Sequence, residues 1–460
     1  MTQSAHTDSP RPDPASQTGR PARYLATGQA VFIALGMMLT IDTLKTTPTI
    51  ALAAGHWHFY LLWIAGGALS LVSALCYAEL GSAFPHPGGD YHFLRLAYGV
   101  RVGALYAWSR FAIMHTGWMA VMGFMLADYV KAVIPLDPLT YRLAAMSCIA
   151  AIWGLTRIHV KLSFATQAGL VLLLIGGFAS ITLAAAMLTV HHQGFPILVP
   201  HQATVNSSAI GTALIYVFLA YGGWGDVATL STELRNRRSG MVITMAGGIA
   251  LLVTVYVVTS AAMVAGLGMD HLAHANAPAA DLLKRVFGPP GAWVITTIVC
   301  IAAVSSIHSC LLTGARTTYA AAADLPGTGR IGQWHSASKG PAVAAMAECL
   351  MALLLVWIGS YSKAGFDAMI GYMTPVFWAF MLLSSAAVIV LRRRHPEVER
   401  PYKAPLHPLL PLIFIIFSIY MFVSSLQDLG AAAWYGLGVM GIGAVLIELL
   451  LRKRPRDDAY

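Results

Sequence analysis

Apolar residues in this chain gather into long runs that are separated by short polar segments. A run of about 20 apolar residues is long enough to cross a lipid bilayer as an α-helix. Twelve such runs are present, near residues 28–54, 58–81, 102–134, 141–156, 163–190, 208–233, 241–267, 291–320, 341–359, 364–391, 408–427 and 431–451. The pattern therefore predicts an all-α polytopic membrane protein with twelve transmembrane helices and with both termini on one side of the membrane.

A polar stretch at residues 40–49 interrupts the first apolar run near its middle. It contains Asp42, Lys45 and Pro48 among several threonines. A charged side chain in hydrocarbon costs about 2.5 to 3.5 kcal/mol, and a proline removes a backbone hydrogen-bond donor. Polar groups at this depth must line a cavity or be buried in protein. We therefore expect a broken helix here, and broken helices at mid-membrane are where transporters bind their substrates.

The sixth apolar run has a similar interruption at residues 218–226. Gly222, Gly223 and Gly225 weaken the helix there, and Asp226 follows them. Matching interruptions in the first and sixth helices predict two inverted five-helix repeats with helices 11 and 12 outside them, and a binding site between the breaks. The alternative is that these glycines only allow close helix packing.

The composition agrees with a membrane protein, because 57% of residues are hydrophobic and 11% are charged. So few charges cannot cover the surface of a soluble protein of this length. Lys and Arg favour alternate loops by about four to one, which predicts cytoplasmic termini. The net charge of +9 thus reflects topology, and nucleic-acid binding is not expected. The basic runs at 392–394 and 452–456 are interpreted as anchors for lipid headgroups.

These patterns divide the chain into four regions. Residues 1–22 are predicted to be a disordered cytoplasmic tail, 23–400 a transport core of helices 1 to 10, 401–452 helices 11 and 12, and 453–460 a second cytoplasmic tail. All five cysteines lie in apolar runs, without the spacing of a disulfide or metal site. No phosphate-binding loop and no convergence of nucleophile and base is recognisable. We expect neither an enzyme nor a cofactor.

Six short motifs follow one another along nearly the whole hydrophobic chain. They are Tyr77–Gly81, Pro85–Tyr91, Tyr221–Trp224, Thr232–Asn236, Ala315–Ala322 and Arg400–Pro405. Their residues and their order resemble those of the amino acid, polyamine and organocation (APC) transporter superfamily, and within it they are similar to the L-type and related bacterial amino acid permeases.

The resemblance implies ten helices in two inverted repeats, with substrate held between the unwound centres of helices 1 and 6. Family members bind the substrate carboxylate on amides of a glycine-rich break and the amino group on carbonyls. Here Ile41, Asp42 and Thr43 replace the family's Gly-Ser-Gly, which puts an unmodified α-amino acid substrate in doubt. The expected substrate-binding residues are Ile41, Asp42, Thr43, Lys45, Thr46, Phe218, Tyr221, Gly222 and Gly223. Phe218 is either an aromatic gate or a packing residue.

Asp42 allows three interpretations. It can pair with a substrate ammonium, it can carry a proton during the transport cycle, or it can only neutralise Lys45 three residues along the same helix face. Lys45 can correspondingly hold a substrate carboxylate, stand in for a coupling cation, or complete that pair. Family exchangers carry such a lysine in helix 5, where Leu174 lies here.

The candidates for ion coupling are polar residues inside apolar runs: Asp42, Lys45, Asp226, Ser305, Ser306 and His308. Serine hydroxyls can ligate sodium, but in membrane helices they also bond to the carbonyl of the preceding turn. A histidine can carry a proton near neutral pH, or it can simply bond between helices. Arg110, His115 and Glu348 are weaker candidates of the same kind.

The sequence thus predicts a secondary active transporter of amino acids or related amines in the cytoplasmic (inner) membrane. Alternating access would be driven by a proton, by another cation or by a counter-substrate. The alternatives are a non-transporting nutrient sensor with the same fold, a sodium-coupled symporter, and a polyamine or amine permease. The predicted partners are the small-molecule substrate, the coupling species and the lipid bilayer, and the sequence leaves the oligomeric state undetermined.

Overall fold

The computed structural model of the protein describes residues 27–54, 56–86, 88–157, 164–191, 193–197, 207–228, 239–325, 329–332, 341–362 and 364–452. This part of the chain is helical and contains no β-strand. The two predicted tails, 1–22 and 453–460, lie outside the described residues. Nine helices within the described ranges have the length and apolarity needed to cross a membrane.

Nine continuous helices account for most of the predicted runs. They are α3 (His56–Ala83), α7 (Pro138–Arg157), α8 (Phe164–Val190), α11 (Ser239–Leu267), α14 (Pro289–Asp324), α15 (Ala342–Gly359), α16 (Gly365–Arg394), α17 (Leu409–Asp428) and α18 (Ala431–Arg452). Their ends match the predicted runs to within a few residues, because long apolar runs leave only polar loop positions as boundaries.

The first, third and sixth apolar runs fold as interrupted helices. The first gives α1 (Thr27–Met38) and α2 (Thr43–Ala53), and the sixth gives α9 (Ser207–Ala220) and α10 (Trp224–Ala228). The third gives α5 (Val100–Ser109), a π-helical turn at Arg110–Met114 and α6 (His115–Val133). Short helices α4 (Asp90–Tyr98), α12 (Met269–His274) and α13 (Pro278–Phe287) lie in the connections, with a 3₁₀ turn at Gly329–Gly332.

The first break is shorter than the polar stretch predicted. Only residues 39–42 leave the helix, and Thr43–Thr49 belong to α2. The buried hydroxyls there bond within the helix, since Thr47 Oγ1 donates to the carbonyl of Thr43 at 2.6 Å. Because a threonine can satisfy its hydroxyl on its own helix, polar composition alone overestimated the length of the break.

A carboxylate at the end of α3 joins three segments at one face of the helix bundle. Arg392 donates two 2.6 Å hydrogen bonds to Glu79, and the amide of Ala404 donates a third at 2.8 Å. Arg394 bonds to the carbonyl of Ala97 nearby. We call this the basic face.

The other end of the bundle, which we call the opposite face, carries the α6–α7 connection, α12 and α13. A cavity of about 1190 Å³ lies there, lined by Asp128, Arg142, His271 and Asp281 among others. Burial raises the pKa of the Asp281 carboxyl, and His271, whose Nε2 lies 3.7 Å from Asp281 Oδ2, opposes that rise. The opposite face therefore presents charged groups of both signs.

Candidate functional site

A cavity of about 580 Å³ lies between the two helix breaks. Leu39, Thr40 and Ile41 line it from the first break, and Gly222 and Gly223 from the sixth helix. The remaining walls come from α5, the π turn, α6, α8, α14 and α16. This volume lies in the range of small-molecule sites in proteins.

The cavity extends from the breaks towards the basic face. Asp90 at the start of α4 and the exposed Arg316 near the end of α14 both line it. Met122 lines it within α6, on the way to the opposite face. The cavity therefore occupies the middle of the bundle and its basic half.

Tyr256 on α11 covers the first break. Its hydroxyl accepts a hydrogen bond from the amide of Thr40 at 3.2 Å and lies 3.5 Å from the carbonyl oxygen of Met38. These two backbone groups have left the helical ladder, and a buried backbone group without a partner is costly. Tyr256 thus stabilises the break.

Asp42 lies at the other edge of this break, at the N-cap of α2, and its side chain is fully buried. It makes no side-chain capping bond of good geometry, and the polar groups beside its carboxylate are the hydroxyl of Thr40 and the backbone of Thr43. The partial positive charge of a helix N-terminus stabilises an anion at such a position. Asp42 follows the last cavity-lining residue of the break, Ile41, and does not itself line the cavity.

Lys45 does not pair with Asp42. Its ammonium lies 2.8 Å from Asp128 Oδ2 on α6 and donates to the carbonyl of Asn276 at 2.9 Å. The interpretation in which Asp42 only neutralises Lys45 is therefore wrong for this structure. The side chain of Lys45 turns towards the opposite face because a carboxylate and a free carbonyl meet it there.

The break in the sixth helix is centred on Gly223. Its φ of 94° lies in the left-handed region, which side chains other than glycine rarely adopt. Tyr221 just before it is fully buried and donates a 3.0 Å hydrogen bond to the carbonyl of Trp63. Tyr221 packs against Trp63 and Tyr256 and lies outside the cavity. Tyr221 therefore holds the break against α3 and α11 on the side away from the cavity.

Phe218 lines the cavity and also belongs to an aromatic cluster. Its ring centroid lies 4.7 Å from that of Phe417, 5.2 Å from Trp378 and 6.1 Å from Trp224. Trp224 and Trp378 line the cavity as well. Both interpretations of Phe218, gate and packing residue, therefore agree with its position.

Polar side chains form a connected row along the basic side of the cavity. The hydroxyl of Tyr106 donates to Asp90 Oδ2 at 3.2 Å and accepts from Arg110 at 3.0 Å. Arg110 also donates from Nε to His115 Nε2 at 2.7 Å. The π turn begins at Arg110, and such turns are frequent at functional sites.

The predicted coupling residues do not all lie at the cavity. Ser305 and Ser306 line the cavity, and Ser306 accepts a 3.2 Å hydrogen bond from Trp118 Nε1. His308 is buried away from the cavity. The side chain of Asp226 lies outside the described residues.

Only some of the predicted substrate-binding and coupling residues line the cavity. Ile41, Phe218, Gly222, Gly223, Ser305 and Ser306 line it, as does Leu174, whereas Asp42, Thr43, Lys45, Thr46, Tyr221 and His308 do not. Sequence reasoning had not assigned a site role to Asp90, Tyr106, Trp118, Arg316 or Trp378. Asp90 lies within the Pro85–Tyr91 motif, so the sequence indicated its position but not its contact with Tyr106 on α5.

A sequence profile of the amino acid permease family matches residues 25–447. The chain belongs to this family. It is 25% identical over 421 residues to the mouse (Mus musculus) large neutral amino acids transporter small subunit 2, covering 86% of this chain and 75% of that protein. It is 26% identical over 365 residues to the mouse Asc-type amino acid transporter 1, covering 75% and 66%.

A third relative agrees with these two. The rabbit (Oryctolagus cuniculus) b(0,+)-type amino acid transporter 1 is 24% identical over 352 residues, which cover 75% of this chain and 70% of that protein. The family and its members place the chain among the multi-pass membrane transporters and not among enzymes. The resemblance to the APC superfamily is confirmed.

Proposed function

We propose that this permease is a secondary active transporter that moves an amino acid across the cytoplasmic membrane by alternating access. The observation that carries the proposal is the cavity of about 580 Å³ that both helix breaks line. Exposed amides and carbonyls at such breaks bind the charged ends of a zwitterion without adding a buried charge of their own. The names of the relatives, which are amino acid transporters, support this substrate class.

In this proposal helices 1 to 10, within residues 23–400, form two inverted repeats, and α17 and α18 lie outside them. The basic face would be cytoplasmic, because Lys and Arg are retained on that side during insertion. The cavity would then represent an inward-facing arrangement, with the path from outside closed beyond Met122. The amino acid would lie against Ile41, Phe218 and Gly223.

Asp42 favours a second candidate substrate, an amine that lacks the carboxylate. Its own carboxylate stands at the N-terminus of α2, where the family binds the substrate's carboxylate, and no cation of the described residues pairs with it. A buried anion without a counter-charge is costly. A substrate ammonium that reached it from the cavity would supply the missing counter-charge.

The test is uptake by purified protein in proteoliposomes. The panel holds labelled neutral, acidic and basic amino acids, amino sulfonates and diamines, each with and without an imposed proton or sodium gradient. We expect saturable uptake of at least one amino acid, with competition by its unlabelled form. Empty liposomes serve as the control.

The other outcomes separate the alternatives. Uptake restricted to amines would make Asp42 the partner of the ammonium and would replace the amino acid proposal. Binding of a panel compound without flux under any gradient would indicate a nutrient sensor. Dependence on sodium alone would indicate a sodium symporter.

A further inference from the structure

An acid and a histidine meet beside the cavity where α6, α14 and α15 cross. Glu348 on α15 is fully buried, and the first residue of α6, His115, is half-buried at the cavity wall. Glu348 itself does not line the cavity. Nothing in the proposed binding of substrate uses this pair.

The hydrogen bonds of His115 define its protonation. Arg110 is permanently charged and can only donate, so His115 Nε2, which accepts its 2.7 Å bond, carries no hydrogen. In the neutral ring the hydrogen is then on Nδ1. This atom is buried and makes no well-formed hydrogen bond, and the polar group beside it is the backbone of Cys310.

Glu348 has one carboxylate oxygen without a hydrogen-bond partner. Its Oε1 accepts a 2.9 Å bond from Thr318, whereas its Oε2 is buried and has no partner. A buried donor without a well-formed bond and a buried acceptor without a partner are each costly to the fold. Such groups in a native structure call for an explanation.

The two unpaired atoms are directed at the same point, which is the missing side chain of Gly314 on α14. A Cβ at Gly314 would lie 2.6 Å from His115 Nδ1 and would also overlap Glu348 Oε2. Only glycine leaves space there for the two groups to approach. The crossing of the three helices therefore keeps a gap between an imidazole N–H and a carboxyl oxygen.

The charges around Glu348 are few within the described residues. Arg110 is the cation that acts on it, through His115, and the same guanidinium also serves Asp90 through Tyr106. A proton on Glu348 would remove a negative charge from the low-dielectric interior.

The other groups near the pair are thiols, hydroxyls and one exposed cation. Cys310 on α14 donates to the backbone carbonyl of His115 at 3.4 Å, and Cys349 neighbours Glu348 on its own helix. Thr318 supplies the hydroxyl already described. Arg316 lies on the cavity side of α14. The thiols of Cys310 and Cys349 and the hydroxyl of Thr318 carry no charge that would replace the proton.

We propose that Glu348 and His115 form the binding site of a coupling proton, which His115 connects to the cavity. Glu348 Oε2 binds a proton that comes from the outside and releases it to the inside, and this O–H bond is the only covalent bond made and broken. In the ionised state Oε2 accepts from His115 Nδ1–H and draws α6 towards α15. In the protonated state that attraction is lost, so the proton changes the packing of a cavity-lining helix.

This inference rests on the proposed transport function and names its coupling ion. The test uses proteoliposomes with a trapped pH-sensitive dye and the panel amino acid that gives the highest wild-type uptake. Wild-type protein should move protons inward together with that amino acid. Glu348→Gln, which cannot bind the proton but keeps the shape, should lose this flux and the accumulation driven by a pH gradient.

Counterflow, in which labelled and unlabelled amino acid exchange without net proton movement, should persist in Glu348→Gln. His115 is a positioning residue in this scheme, so His115→Gln should displace the pH profile of uptake and keep counterflow. Glu397→Gln is the matched control, because it makes the same change at an exposed position on the basic face. It should behave as the wild type does.

If Glu348→Gln fails to fold, Glu348→Asp keeps the carboxyl one methylene further away, and its pH profile should be displaced from that of the wild type. An unchanged profile, or proton flux that persists in Glu348→Gln, would overturn the proposal. Wild-type uptake without proton movement would overturn it as well and leave the transport function standing. A wild-type protein that takes up no panel compound would instead refute the transport function.

Discussion

Asp42 is the buried acid of the first helix break. Its carboxylate stands at the N-terminus of α2. It is fully buried, and no cation of the described residues pairs with it. Because Lys45 pairs with Asp128 instead, the charge of Asp42 is left for a substrate or a proton.

If Asp42 binds a substrate ammonium or a proton, we predict that Asp42→Asn lowers uptake to background while the protein still folds. The amide keeps the size of the side chain and removes the negative charge, which is the only property that an ammonium or a proton needs. Initial rates of uptake in proteoliposomes measure the effect. Folding is checked by the elution profile and the melting temperature in detergent.

Asp137→Asn is the control for this substitution. Asp137 is an exposed acid that caps α7 by accepting bonds from Leu139 and Thr140. An asparagine can keep that capping role, so uptake should be unchanged. Near-normal uptake by Asp42→Asn would remove both the ammonium and the proton roles from Asp42.

The two broken helices are stabilised differently. The first break depends on Tyr256, which satisfies backbone groups at Thr40 and Met38. The second depends on Gly223, which turns the chain at a φ of 94°. A side chain in the left-handed region costs about 1 to 2 kcal/mol. The second break is therefore the more sensitive to sequence.

We predict that Gly223→Leu abolishes substrate binding, because the new side chain both strains the backbone and fills the cavity between the breaks. Gly223→Ala should lose only about 1 to 2 kcal/mol of stability and weaken binding. Equilibrium binding of the best panel substrate measures both variants. Gly430→Leu is the control, since Gly430 also has a left-handed φ, of 67°, but lies outside the cavity and has open space for a Cβ, so this variant should keep substrate binding. Unchanged affinity in Gly223→Leu would remove the site from this break.

The sequence was sufficient to locate both breaks and most helix ends. Apolar runs and clustered glycines are local signals, and they placed Ile41, Phe218 and Gly223 at one cavity. The sequence did not reveal that Lys45 reaches Asn276, 231 positions away, or that Glu348 approaches His115. Such contacts depend on how helices cross, and no spacing along the chain encodes them.

The sequence also does not assign separate roles to the neighbouring glycines of the sixth helix. Gly225 was open to a packing interpretation, and a Cβ there would lie 3.2 Å from Asp90 Oδ2. That close approach agrees with packing, whereas Gly223 serves the turn. The three glycines look alike in the sequence because helix geometry, and not residue type, assigns their roles.

At the scale of the whole molecule, ion pairs hold both ends of the bundle. Glu79 with Arg392 ties α3 to α16 at the basic face. Lys45 with Asp128 ties α2 to α6 towards the opposite face, and Asn276 links both to the segment before α13. If the permease opens towards the opposite face, we expect the Lys45–Asp128 pair to separate.

We predict that Lys45→Met combined with Asp128→Asn shifts the protein towards the state that is open to the opposite face. A hydrogen bond to a charged group contributes about 1.5 to 3 kcal/mol, and about 1.4 kcal/mol changes a population tenfold. Replacing both partners avoids leaving one buried charge unpaired. The measurement is the labelling rate of Cys310, which lines the cavity, by a membrane-impermeant thiol reagent added at the opposite face.

Labelling of Cys310 from that face should rise by about tenfold in the double variant if the pair holds the closed state, and Cys310→Ser should abolish the added signal. The matched control is Arg101→Met with Glu448→Gln, an exposed pair 3.0 Å apart near the basic end of α5. An exposed pair contributes little, so its removal should leave the labelling rate unchanged. If the Lys45–Asp128 variant also labels at the wild-type rate, the barrier on the opposite side lies in the packing of α2 against α12 and not in the ion pair.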